Sequence, residues 1–104
     1  MHSVNEKSTA WLTVELKDRN GVAQAPTSLS YRIDNVADGA EIRADTPITP
    51  AATVVITLTP ADNTMQATTK STERHRVTVV ADYGVDDDHN DEYVYTVRNL
   101  KGVA

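Results

Sequence analysis

The residues with the clearest potential for chemistry lie in one acidic segment near the C-terminus. The run from Asp86 to Glu92 reads Asp-Asp-Asp-His-Asn-Asp-Glu, and its D-x-D-x-N-x-E spacing places oxygen donors at alternate residues, as a calcium loop does. An EF-hand loop also requires Gly at its sixth position and Glu at its twelfth, where this chain has Asp91 and Val97. The segment therefore fits a solvated acidic loop better, and a calcium site of another type stays open as an alternative.

Patterns of nucleophiles, bases and metal ligands do not indicate an enzyme. His75 is flanked by Arg74 and Arg76, and no nucleophile lies near it in sequence. The three histidines, His2, His75 and His89, are too far apart in sequence to match the His-x-x-x-His spacing of metal ligands. The chain has no Cys, no G-x-S-x-G elbow, no Walker loop and no G-x-G-x-x-G motif. We therefore predict a non-catalytic protein with no cofactor and no catalytic or metal-ligating residues.

The aromatic residues offer candidate binding groups. Trp11 points away from the apolar face of its predicted strand, so it either packs at the rim of the core, which we favour, or is an exposed anchor for a partner. Tyr93 and Tyr95 share one face of the last predicted strand with Val97. We favour these three inside, and the reverse assignment would give an exposed aromatic stripe of the kind enriched at protein interfaces.

The elements that carry these residues are predicted to be strands. Thr and Val, which are β-branched, make up about a quarter of the chain. Alternating apolar residues and turn signals such as Asn20-Gly21 divide the chain into short strands, with one helical turn at 60–65. The main strands are predicted at 10–17, 28–34, 41–44, 53–59, 74–83 and 92–98. Short strands at this spacing are typical of an all-β sandwich.

Length and charge limit the classes of function. The 104 residues suffice for one domain, which we predict at 10–104, preceded by a polar, flexible N-terminal arm at 1–9. The net charge is −5, and six carboxylates with no Lys or Arg lie between Asp82 and Glu92. No basic stripe is present, which disfavours nucleic acid and anionic membranes as partners. No apolar run approaches the roughly 18 to 20 residues of a membrane span.

The whole pattern resembles small immunoglobulin-like structural proteins of tailed bacteriophages. The residues that carry the resemblance run from Leu12 to Gly21, Ala25 to Asp34, Thr53 to Met65, Glu73 to Gly84 and Asp91 to Gly102. The resemblance implies a single immunoglobulin-like antiparallel β-sandwich of about seven strands. It implies a virion structural protein, made in the host cytoplasm, whose partners are capsid or tail proteins and which can form homo-oligomers on the particle. Head decoration, in which the protein cements neighbouring capsomers, is the first choice.

Two alternatives remain at this stage. A tail or baseplate accessory protein fits the same composition. A bacterial immunoglobulin-like adhesive or carbohydrate-binding module would instead stack Trp11, Tyr93 or Tyr95 on sugar rings, so the exposure of these rings discriminates between the classes. The residues predicted to contact a partner, besides the N-terminal arm, are Trp11, Asp86, Asp87, Asp88 and Asp91.

Overall fold

The chain folds into seven β-strands arranged in two sheets. The computed structural model describes residues 3–66, 70–84 and 87–100. Among these residues no helix is long and apolar enough to cross a membrane. The strands are β1 (Ser3–Asn5), β2 (Ala10–Glu15), β3 (Ser28–Asn35), β4 (Glu41–Pro47), β5 (Thr53–Leu58), β6 (Thr72–Asp82) and β7 (Asp88–Arg98). The prediction of an all-β chain of about seven strands is confirmed.

The two sheets differ in size and form a sandwich-like arrangement. The larger sheet has the order β1-β7-β6-β3-β4, and the smaller consists of β2 and β5 alone. All pairs are antiparallel except β1 and β7, which are parallel. The expectation of a wholly antiparallel sandwich is therefore corrected. Strands joined by a short hairpin must pair antiparallel, whereas β1 and β7 are separated by almost the whole chain and no turn imposes their direction.

The N-terminal segment is a strand where a flexible arm was predicted at 1–9. Ser3–Asn5 pairs with Thr96–Arg98, and the side chain of Val4 is buried. Beyond the strand, Glu6 is also buried, and its Oε1 accepts a hydrogen bond of 2.8 Å from the backbone N–H of Leu100. One apolar residue and one carboxylate thus anchor a segment whose composition is otherwise polar. Residues 1–2 of the predicted arm lie outside the described residues.

The core lies between the sheets and follows the predicted alternation. In β2 and β5 every second residue faces inward, and in β6 the inward positions run from Glu73 to Ala81. Each fully buried aliphatic side chain contributes about 1.5–3 kcal/mol. The core consists of Val4, Leu12, Val14, Leu16, Leu29, Tyr31, Ile33, Val54, Ile56, Leu58, Met65, Val77, Val79, Ala81, Tyr95 and Val97.

The connection from β5 to β6 begins with the predicted single helical turn. Thr59 and Asp62 cap each other, because the backbone N–H of each donates to the side chain of the other, at 2.9 Å to Asp62 Oδ2 and 3.3 Å to Thr59 Oγ1. Asp62 Oδ1 also accepts a bond of 2.8 Å from Arg43 Nε of β4. Met65 then enters the core. The turn thereby joins β5 of one sheet to β4 of the other.

Candidate protein-docking surface

Trp11 stands on the outer face of the smaller sheet. Its side chain is 64% exposed, so the favoured interpretation of packing at the rim is wrong. The ring has the exposure that the alternative requires, and its role as an anchor for a partner stays a prediction. Thr57 lies directly opposite it on β5, and Val55, two residues along β5, is 55% exposed. A sheet of two strands buries only its inward side chains here, and its outward positions are left to solvent. Trp11 is the one exposed aromatic side chain among the described residues.

The outer edge of β2 is free of backbone partners. The ladder continues one residue past β2, where Leu16 N–H donates to Ala52 C=O at 2.7 Å. Backbone groups along a strand alternate in direction, so the even-numbered residues of β2 bond towards β5. The backbone N–H and C=O groups of Trp11, Thr13 and Glu15 therefore point away from β5. Within residues 3–66, 70–84 and 87–100 no strand pairs with this edge.

The hairpin that follows β2 leaves this edge open. Asp18 N–H donates to Val22 C=O at 2.8 Å, and Gln24 N–H donates to Leu16 C=O at 3.0 Å. Both bonds use backbone groups of Leu16 and Asp18. As even-numbered residues these point to the same side of the strand as β5, so they do not block the opposite edge. The turn itself is fixed by Asp18 Oδ1, which accepts the N–H groups of Asn20 and Val22, as the Asx pattern predicts.

A groove of about 290 Å³ runs between the end of β2 and the larger sheet. Residues 14–18 form one wall, and Tyr83, 89–91 and Tyr93 form the other. Tyr83 bridges the groove's end, because its hydroxyl donates to Gln24 C=O at 3.1 Å and its ring lies 4.8 Å from that of His89. Burial, and next the negative charges of Asp18 and Asp87, raise the pKa of Tyr83. The tyrosine is therefore a neutral hydrogen-bonding group at physiological pH.

The predicted acidic contact residues lie around this end of the molecule. Asp87 Oδ1 is 2.8 Å from His89 Nε2, and Asp88 begins β7 opposite Asp82. Asp91 lines the groove, and its Oδ2 accepts a bond of 3.0 Å from the Tyr93 hydroxyl. Burial, followed by this bond, raises the pKa of Tyr93. Asp86 lies outside the described residues.

Three of the four alternate oxygen donors of the acidic segment lie along one strand. Asp88, Asn90 and Glu92 lie within β7 and pair with every second residue of β6. Successive same-face positions of a strand are about 7 Å apart, whereas calcium ligands converge to 2.3–2.6 Å from one ion. These three residues do not form one coordination shell. Groups of three or more potential metal ligands do not occur among the described residues.

The structure does not bring Trp11 and the acidic residues into one cluster. Trp11 is near the start of β2, and the groove begins at its end. Trp11 and Glu15 are four residue steps apart, which is about 13 Å along an extended strand. The free edge of β2 joins the two features, since Trp11 and Glu15 both contribute backbone groups to it.

His75 belongs to a buried polar network. Its side chain is fully buried, its Nε2 is 2.5 Å from Glu73 Oε2, and its Nδ1 is 3.4 Å from the Tyr95 hydroxyl. That hydroxyl donates to Asn63 Oδ1 at 2.8 Å, and Asn63 Nδ2 donates to Ser8 C=O at 2.6 Å. A substrate cannot reach the imidazole without local opening. We interpret the network as structural.

No known protein family, no curated protein and no solved structure matches this chain. The functional argument therefore depends on the residues themselves. Sequence reasoning predicted Trp11 and Asp91 as contact residues, which stays a prediction, but it missed the free edge of β2 and the groove wall that includes Tyr83 and His89. Alternation predicts which side chains face outward, whereas the unpaired edge depends on which strands become neighbours, and no local signal reports that.

Proposed function

We propose that this protein is a non-catalytic structural protein of a tailed bacteriophage particle, most specifically a head decoration protein that binds the capsid lattice. The proposal rests on the resemblance of the strand and turn pattern to small immunoglobulin-like virion proteins. It is supported by the strand order and, above all, by the single exposed tryptophan on the smaller sheet.

The strand order supports an immunoglobulin-like assignment of the sandwich. In variable-type immunoglobulin domains the last strands form a sheet with the order G-F-C-C′, and strands B and E pair in the facing sheet. Here β7-β6-β3-β4 and β2-β5 have the same order along the chain. Among the described residues no strand of the smaller sheet takes the place of the flanking strands A and D of that fold, so both edges of β2-β5 are open there.

The exposure of the aromatic side chains favours protein docking over sugar binding. Tyr31 and Tyr95 are buried, and Tyr83 and Tyr93 are half-buried. A sugar platform would need several exposed, coplanar rings, and the described residues offer only Trp11. A lone exposed Trp is typical of a protein-binding anchor, because Trp is enriched among residues that dominate interface energies. The adhesive module is therefore the less favoured candidate.

The copy number of the protein in purified particles of its source tests the proposed location. Quantitative mass spectrometry against the major capsid protein is the measurement. Hundreds of copies are expected for head decoration. A few to a few dozen copies would move the protein to the tail, baseplate or neck, and its absence from the particle would contradict the virion assignment.

The role of Trp11 is tested by Trp11→Ala in a docking assay with particles that lack the protein. We expect the dissociation constant to rise at least about tenfold, because a large apolar contact is lost. Val94→Ala is the matched control, since Val94 is 46% exposed on the outer face of the other sheet. Unchanged docking of Trp11→Ala, or an equal loss in Val94→Ala, would contradict docking through the smaller sheet.

A further inference from the structure

We propose that the free edge of β2 takes up an extended segment of a partner protein, in which apolar and basic side chains alternate. This inference rests on the proposed function only in requiring a protein partner, and it holds for any position in a particle. The partner segment would become a third strand of the smaller sheet.

The backbone of β2 offers the hydrogen-bonding groups that such an addition requires. Trp11, Thr13 and Glu15 present their N–H and C=O groups on the side away from β5. An exposed strand edge of this kind is a template for another strand, and main-chain bonds supply much of the affinity in strand addition. Pro is absent from β2, so every residue of the strand keeps its N–H.

The groove beside this edge determines which side chains the added strand would carry. Alternate residues of a strand on β2 would point into the groove, where the half-buried Tyr93 offers an apolar surface. The groove also contains the carboxylates Glu15, Asp18 and Asp91 against a single Lys17. This charge balance favours Lys or Arg in the partner segment and disfavours Asp or Glu.

The edge of β2 is better suited than the open edges of β7 and β5. The outer edge of β7 is interrupted, since β1 already occupies Thr96–Arg98. The edge of β5 is open, but β2 is the strand whose end lines the groove together with β7. A strand on β2 would also pass beside Trp11, which the proposed function already assigns to docking.

The test uses a short synthetic peptide that alternates valine and lysine. Titration into the full-length protein is followed by nuclear magnetic resonance, with amide hydrogen exchange as the readout. We expect the amides of Trp11, Thr13 and Glu15 to become protected on binding. We expect a valine–glutamate peptide, and a peptide of the same composition with its valines in one block, to bind at least about tenfold more weakly.

Two proline variants separate the β2 edge from the β5 edge. Thr13→Pro removes an N–H that points away from β5, so the ladder between the two strands is retained. Val55→Pro is the matched control, since Val55 is the register partner of Thr13 and its N–H points to the opposite edge. Thr13→Pro should weaken peptide binding at least about tenfold, and Val55→Pro should leave it within about twofold.

A modified peptide keeps the test decisive if a proline variant does not fold. The peptide is methylated at the backbone nitrogens that would bond to β2. With the wild-type protein, this methylated peptide should no longer protect the amides of Trp11, Thr13 and Glu15 from exchange. Absence of protection at millimolar peptide, protection of β5 or β7 in place of β2, or binding unaffected by methylation would each overturn the proposal. The particle copy number is measured separately. A negative peptide result therefore leaves the proposed function unaffected, and absence from the particle leaves strand addition at β2 unaffected.

Discussion

Tyr95 and its neighbours show how a polar group is accommodated in an apolar core. The hydroxyl of Tyr95 donates to Asn63 Oδ1 at 2.8 Å and lies 3.4 Å from His75 Nδ1, and all three side chains are buried. Buried polar groups are tolerated when each has a partner, and they become costly when a partner is removed. The network thus links β6 and β7 to the turn after β5.

Tyr95→Phe should therefore lower the free energy of unfolding by about 1–3 kcal/mol, because Asn63 Oδ1 loses its donor inside the core. Urea denaturation is the measurement. Tyr93→Phe is the control: the Tyr93 hydroxyl bonds to Asp91 at the surface, where water replaces it, and the change should stay within about 0.5 kcal/mol. An equal decrease in the free energy of unfolding of the two variants would show that the buried bond from Tyr95 to Asn63 stabilises the protein no more than the surface bond does.

The same hydroxyl predicts a loss of stability at alkaline pH. Burial, with a smaller contribution from the charge of Asp62, raises the pKa of Tyr95. In the unfolded chain the phenol ionises near pH 10, whereas the folded protein keeps its proton at that pH. The contribution of the protonated Tyr95 hydroxyl to the free energy of unfolding is therefore complete below the pKa of the unfolded chain. It is lost as the pH rises towards the pKa of the folded protein. Between about pH 9 and pH 11 the free energy of unfolding should fall more in the wild type than in Tyr95→Phe, and parallel slopes would contradict this.

The strands differ in how they are stabilised. β2 and β5 present a clean alternation, and their inward side chains form one layer of the core. β1 has only three residues, and it is held by parallel pairing with β7 and by burial of Val4. A strand this short has little stability of its own, so its order depends on those contacts.

Val4→Ala should destabilise the protein by about 1–2 kcal/mol through lost apolar burial, if β1 is anchored as described. Asn5→Ala changes the exposed neighbour on the same strand and should have an effect within about 0.5 kcal/mol. Thermal or urea unfolding of both variants distinguishes the anchored strand from a flexible arm, for which neither substitution would alter stability.

The negative charge of the chain is concentrated in one segment of the sequence. Six of its fifteen acidic residues lie between Asp82 and Glu92, and the other nine are balanced by ten Lys and Arg. The hairpin joining β6 and β7 carries this segment, next to the groove and the end of β2. A field this localised orients an approaching basic surface, and salt screens it.

Replacing Asp87, Asp88 and Asp91 together by Asn should weaken docking to particles and flatten its dependence on salt. The measurement is a binding curve at low and high ionic strength. Because surface charges contribute little to folding, the stability of the variant should change by less than about 1 kcal/mol.

A matched variant neutralises three acidic residues away from the hairpin: Asp38, Glu41 and Asp45, all of which are exposed. Its docking and salt dependence should match those of the wild type. Docking of the wild type that is equal at low and high salt would contradict a role for the acidic hairpin.

The sequence by itself determined the all-β class, most strand positions and the inward faces of the strands. Leu12 and Val14, Val54 and Ile56, and the residues around Tyr95 lie where alternation predicts them. These features follow from a period of two residues along a strand, which is a local property of the chain.

Only the tertiary structure decided which strands became neighbours. The pairing of Val4 with Val97, the exposure of Trp11 and the free edge of β2 all depend on segments far apart in the chain. A single Val in a polar segment looks like part of a flexible arm until the last strand lies beside it. In the same way, an outward Trp packs at the rim or stays exposed according to whether another segment covers it, and in this fold Trp11 remains 64% exposed.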